Sequence, residues 1–136
     1  MADLARFGVS MDKNLLAEFD KLIEGQYDNR SEAVRDLVRD KLVEREWEEG
    51  EEVAGSLTLL YDHHQKGLTE KMLDIQHNNH DIFCSTLHQH ISHDNCLEVI
   101  IVRGRAEVVR EAAGRLLGLK GVKHGKLTIS STGEAL

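Results

Sequence analysis

An α+β protein in two dissimilar parts is predicted by one change of pattern and one cluster. Residues 1–48 carry a short alternating run and then two stretches of helical period, whereas residues 53–136 read strand, helix, strand, strand, helix, strand. The cluster lies in the second part, where seven of the eight histidines fall between His63 and His93. The chain therefore divides into an amino-terminal domain over 1–48 and a βαββαβ domain over 53–136.

In the first domain, Arg6-Phe7-Gly8-Val9-Ser10-Met11 alternates, with Arg6, Gly8 and Ser10 on one face and Phe7, Val9 and Met11 on the other. A helix is expected from Lys13 to Glu24, with Leu15, Leu16, Phe19, Leu22 and Ile23 as its apolar stripe and Gly25 ending it. Asn29-Arg30-Ser31-Glu32 is a helix start, with Asn29 or Ser31 as N-cap and Glu32 at the third position if Asn29 caps. The second helix carries Ala33, Val34, Leu37, Val38 and Leu42 and reaches about Trp47. Its acidic tail, Glu44 to Glu52, reads as a solvated helix end or linker.

In the second domain the first strand is Ser56 to Tyr61. Asp62 can cap the next helix, with Gln65 at its third position and Leu68, Met72 and Ile75 facing the core, before it frays near His77 and Asn78. Ile82 to Ile91 and Cys96 to Val102 form a hairpin. Gly104 leads into a helix bearing Val108, Val109, Ala112, Leu116 and Leu117, which Gly118 and Gly121 end. Lys126 to Ser130 is the last strand. This order is the ferredoxin-like arrangement, an antiparallel sheet with helices on one face.

Composition limits the function. The chain has 136 residues, 40% of them hydrophobic and only 4% aromatic, so its core must be aliphatic. A formal charge of −7 argues against whole-surface attraction to nucleic acid or membranes, and DNA binding must rest on a local basic feature. With two cysteines, no signal peptide and no transmembrane run, reduced thiols in the cytoplasm are expected.

One short strand and two helices cannot enclose a core, and the strand has no partner in its own subunit. A symmetric dimer solves both problems by pairing two copies of the strand antiparallel. Such a ribbon fits the DNA major groove. The pattern resembles ribbon–helix–helix repressors, on the strength of Arg6 to Ser10 and Asn29-Arg30-Ser31-Glu32-Ala33. Arg6 is suited to bidentate bonds with guanine, Ser10 to either base edge, and the amides at Asn29, Arg30 and Ser31 to a phosphate. Gly8 departs from the polar outward residue usual at that place. The bland alternative is a dimerisation module that touches no DNA.

Alternation places His88 and His90 on one face of a strand, with Phe83, Leu87 and Ile91 facing the other way. Cys96 joins that face opposite His90 if Ser92-His93-Asp94 forms a three-residue turn. Two imidazoles and a thiolate suit a late first-row divalent ion, and His77 or His80 could supply a fourth ligand. Spacing does not choose among zinc, nickel and copper. Cys84 is expected on the His88 face as a buried small side chain. His93 reads as a turn residue, and His63, His64 and His124 as surface residues.

With the run from Leu87 to Glu98 as its strongest motif, nearly the whole chain resembles the nickel-responsive ribbon–helix–helix regulators (NikR). The resemblance implies a square-planar nickel ion held by His88, His90 and Cys96 of one subunit and His77 of another. It implies an ACT-type ferredoxin-like core that forms a homotetramer, a dimer of dimers, flanked by two DNA-binding pairs. Glu32 and Asp36 resemble a second, weaker cation site. The expected function is nickel-dependent repression of nickel-uptake genes through double-stranded operator DNA, with no enzymatic activity. Two other readings stand beside it. A zinc-dependent hydrolase with Glu98 as base would leave the first domain unexplained, and a metal-independent repressor of the antitoxin type would leave the metal set idle.

Overall fold

A computed structural model describes residues 3–136. It contains two compact units, one ending at Arg39 and one beginning at Asp40.

In the first unit, helix α1 (Lys13–Ile23) starts where Asp12 Oδ1 accepts the Asn14 amide at 2.8 Å. It ends at Glu24, and Gly25 takes the left-handed φ of +77° that releases the chain from the helix. Helix α2 (Arg30–Glu48) opens in the same way, with Asn29 Oδ1 accepting the Glu32 amide at 2.9 Å. Asn29 is thus the cap and Glu32 the third helical residue.

The strand expected at Arg6 to Met11 does not form in this single chain, because a ladder needs a second strand and the described residues offer none. Phe7 and Val9 stay 76% and 65% exposed, and the stripe residues Leu15 and Leu22 are exposed as well. Ala33 is the one buried residue of this unit among those described.

The second unit opens with the end of α2. There the expected solvated tail is corrected: Glu46 and Trp47 are buried. The Trp47 indole N–H donates to Ser130 O at 2.7 Å, the Arg110 guanidinium lies 5.0 Å over its ring, and Glu46 accepts from the Ser131 hydroxyl. An aromatic in the acidic run gives the helix end an apolar anchor that its charge pattern hides.

Next come β1 (Glu52–Asp62), α3 (Leu68–Asn78), β2 (Phe83–His90), β3 (Asn95–Arg105), α4 (Ala106–Leu117) and β4 (Val122–Ser130). The strands lie in the order β2-β3-β1-β4, each neighbouring pair antiparallel, which is the ferredoxin-like topology. Strict alternation along β1 turns Val53, Leu57, Leu59 and Tyr61 inward. They meet Ile100 and Val102 of β3, Leu68 and Met72 of α3, and Val109, Ala112 and Leu116 of α4. Each large aliphatic so buried stabilises the fold by about 1.5–3 kcal/mol.

Four local expectations change. Strands β1 and β4 begin earlier than expected, at Glu52 and Val122, because each completes a ladder with its neighbour. Asp62 does not cap α3. It is the last paired residue of β1, opposite Asn95, and its Oδ1 accepts the His64 amide, so the helix starts later, behind Gly67 at φ +78°. Gly104 lies within β3, and a Cβ there would sit 2.5 Å from Ile82 Cδ1. Finally, the β2 register slips between Phe83 and Ser85, a bulge with Cys84 as the extra residue. Phe83 therefore shares the face of His88 and His90 rather than opposing it, and Cys84 is exposed rather than buried.

Candidate metal centre

The hairpin of β2 and β3 builds the centre. The Ile91 amide donates to Asn95 O at 2.9 Å, which closes the Ser92-His93-Asp94 turn and sets His90 opposite Cys96 and His88 opposite Glu98. This is the odd-numbered turn the spacing called for. Paired residues of an antiparallel ladder project to the same side, here the side covered by the helices. One ligand atom each from His88, His90 and Cys96 falls within 4.8 Å of the others. Metal–nitrogen and metal–sulfur bonds place opposed ligands about 4–4.5 Å apart, so the trio fits a late divalent ion with small rotamer changes. Cys96 is buried, and the two imidazoles are exposed at the mouth of a groove of about 480 Å³ lined also by Tyr61, Met72 and Gln76.

Beneath the trio lies a polar pair. The Tyr61 hydroxyl donates to Glu98 Oε1 at 3.0 Å, and Gln76 Nε2 reaches Glu98 Oε2 at 3.5 Å. Burial first, then the hydrogen bond with Cys96 and the charge of Glu98, push the Tyr61 hydroxyl well above its usual range. Tyr61 is thus a permanent donor at neutral pH. Glu98, considered as a hydrolytic base, is instead a buried and bonded carboxylate.

The remaining expected residues separate. His77 is exposed in the last turn of α3 and is not in the His88–His90–Cys96 group. His80 lies within 3.4 Å of His77 O through Nδ1 and within 3.2 Å of Asp81 through Nε2, and His124 is exposed on β4. Glu32 and Asp36 are in none of the convergent groups of three or more among the described residues, and Asp36 Oδ2 accepts the Tyr27 hydroxyl at 2.5 Å.

Arg6, Gly8 and Ser10 are exposed, and a Cβ at Gly8 would meet nothing within 4 Å, so packing does not demand glycine there. Arg30 and Ser31 are the first two helical residues, so their amides have no carbonyl partner within the helix. The Arg30 side chain is engaged by Asp20 through two bonds of 2.9 and 2.8 Å, which hold the Asp20 carboxyl below its usual range.

Sequence reasoning missed one grouping. His64, His93 and Asp94 also bring ligand atoms within 4.8 Å of one another. The signal was available in the register, since Asp62 opposite Asn95 sets the residues after one beside the residues before the other.

Comparison with known proteins agrees with this architecture. Residues 54–130 match the family described as the NikR C terminal nickel binding domain, and residues 5–45 match the ribbon-helix-helix protein, copG family. A Solibacter usitatus protein provisionally named a nickel-responsive regulator is 57% identical over 139 residues, covering 100% of this chain and 99% of its own. A Syntrophus aciditrophicus protein of the same name is 50% identical over 135 residues, covering 98% of each. The structure of the uncharacterized protein TM1266 from Thermotoga maritima superimposes with a TM-score of 0.51 at 15% identity, covering 58% of this chain and 98% of that one, a likeness of fold alone. These families and relatives are regulators, not enzymes. With a ribbon–helix–helix match at one end, a nickel-binding-domain match at the other and full-length relatives throughout, the chain belongs to the nickel-responsive (NikR) regulator family.

Proposed function

We propose that this chain is a nickel-dependent transcriptional repressor of nickel-uptake genes, working in the cytoplasm on double-stranded operator DNA. The observation that carries the reading is the convergence of His88, His90 and Cys96 on a hairpin of the nickel-binding domain. Two imidazoles and one thiolate leave a coordination position for a fourth donor. His77 on the same chain stands apart from the trio, and we assign that position to His77 of a second copy. Nickel bound there would supply a cross-link between subunits. The chain's own contribution is to keep Cys96 buried beside Tyr61 and to hold the two imidazoles at the groove mouth.

Assembly follows from what a single chain leaves uncovered. Phe7, Val9, Leu15 and Leu22 are exposed in the first unit, and Leu87 and Ile101 on the sheet face opposite the helices. Pairing of two amino-terminal segments would cover the first set, and joining of two such pairs through their sheets the second, giving a homotetramer built as a dimer of dimers. In that assembly residues 1–48 read DNA and residues 53–136 hold the metal and the core. Arg6 and Ser10 would face base edges, and the amides of Asn29, Arg30 and Ser31 a phosphate. Glu32 and Asp36 are a weaker candidate cation pair on α2. No helix among the described residues is long and apolar enough to cross a membrane.

Metal binding and DNA binding are then coupled sites. Two ribbons that engage two half-sites of one operator gain from effective concentration, which suits a chain whose formal charge of −7 resists unspecific attachment. A mobility-shift titration with and without nickel tests this. Nickel should tighten operator binding, and Arg6→Ala should weaken it by about 1–3 kcal/mol without changing nickel uptake. Operator affinity that ignores both nickel and Arg6→Ala would overturn the reading.

A further inference from the structure

The second convergence of ligand atoms lies at the tip of the same hairpin. His64 comes from the loop after β1, and His93 and Asp94 from the turn between β2 and β3. Their backbones are fastened together without using the three side chains. The His63 amide donates to Asp94 O at 3.2 Å, extending the β1–β3 ladder one step, and the His63 ring donates from Nε2 to His93 O at 2.6 Å. The His64 amide is fixed in turn by Asp62 Oδ1 at 2.9 Å.

On this frame the side chains converge on one carboxylate. His93 Nδ1 is 3.1 Å and His64 Nε2 3.7 Å from Asp94 Oδ1, and the two rings lie 5.1 Å apart at 34°. His64 Nε2 also lies 3.2 Å from His93 O, a carbonyl that the His63 ring engages at 2.6 Å.

We propose that His64, His93 and Asp94 form a second divalent-cation site, free of thiolate and separate from the His88–His90–Cys96 centre. Two imidazole nitrogens and one carboxylate oxygen suit zinc, nickel or cobalt and disfavour magnesium and calcium, which take oxygen ligands. All three side chains are exposed, so water completes the shell and the ion exchanges readily. A bound ion there fastens the loop leading to α3 onto the turn that sets His90 opposite Cys96.

Equilibrium dialysis of the full chain against zinc, with the bound metal counted per chain, tests the site. The wild type should take up a second zinc ion beyond the one lost in Cys96→Ser. Cys96→Ser should keep that second ion, whereas His64→Ala/His93→Ala should lose it and keep the Cys96-dependent one. Because both substituted side chains of the tip are exposed, circular dichroism of the double variant should match the wild type; His64→Gln with His93→Gln gives a bulkier control expected to lose the same ion. Zinc uptake unchanged by both double variants would overturn the site. Loss of both ions in Cys96→Ser would overturn its independence. Failure of the first centre alone would appear differently, as uptake insensitive to Cys96→Ser yet still sensitive to His64 and His93.

Discussion

Replacing Tyr61 with phenylalanine removes one oxygen, and with it the bond to Glu98, and leaves the ring in place. Glu98 is only 6% exposed, and its good partner is the Tyr61 hydroxyl at 3.0 Å, since Gln76 reaches the other oxygen only at 3.5 Å. A hydrogen bond to a charged group is worth about 1.5–3 kcal/mol, and a carboxylate left short of donors loses at the upper end of that range. Tyr61→Phe should therefore destabilise the metal-free protein by about 1.5–3 kcal/mol. With a urea dependence of about 1–3 kcal/mol per molar, the unfolding midpoint should fall by roughly 1 M. Protein concentration must be held constant, because association contributes to apparent stability. In a Glu98→Gln background the same substitution should cost only about 0.5–1.5 kcal/mol, since the surviving acceptor is neutral. Equal costs in the two backgrounds would refute the claim that Tyr61 acts through the charge of Glu98.

Two further outcomes test assembly and packing. Cys96→Ala and His77→Ala should each abolish tight nickel binding, yet randomly mixed assemblies of the two should recover about a quarter of the sites if each site joins two chains; nickel titration after verified mixing would show no recovery if ligation stayed within one chain. Gly104→Ala should cost about 1–3 kcal/mol, because Gly104 sits at φ +150° and a Cβ would lie 2.5 Å from Ile82 Cδ1. Adding Ile82→Ala should relieve the clash but not the backbone strain, and a urea midpoint within error of the wild type for Gly104→Ala would contradict both.

The parts of this fold legible in the sequence are those where one face of an element is buried within the chain. β1 betrays itself because Leu57, Leu59 and Tyr61 alternate with half-buried residues, and α4 because Val109, Ala112 and Leu116 recur at helical spacing. The pairing of His90 with Cys96 was legible because an odd turn leaves few registers open. Other features depended on partners far along the chain. Trp47 in an acidic run looked solvated because its acceptor, Ser130, lies on the last strand. The Arg30 side chain is held by Asp20 on the preceding helix, a partner that spacing does not announce. The alternation of Arg6 to Met11 has no ladder here, since its expected partner is another molecule.

The bulge at Cys84 acts as a phase reset in a two-state code. Phe83 and His88 stand an odd number of positions apart, and an unbroken strand would send them to opposite sides. One unpaired residue between them inverts the parity once, so the aromatic that anchors β2 in the core and the imidazoles that face the groove lie on one side. Pairing Cys84 into the ladder without the bulge would exchange the two readings of the strand. Leu87 and Ile91 would turn toward the groove and His88 and His90 toward the outer face, with every residue type unchanged. The metal chemistry of this hairpin is thus set by a count as much as by its ligands, and deleting Cys84, which removes the bulge and the extra position together, would leave His88 and His90 on the face of Phe83.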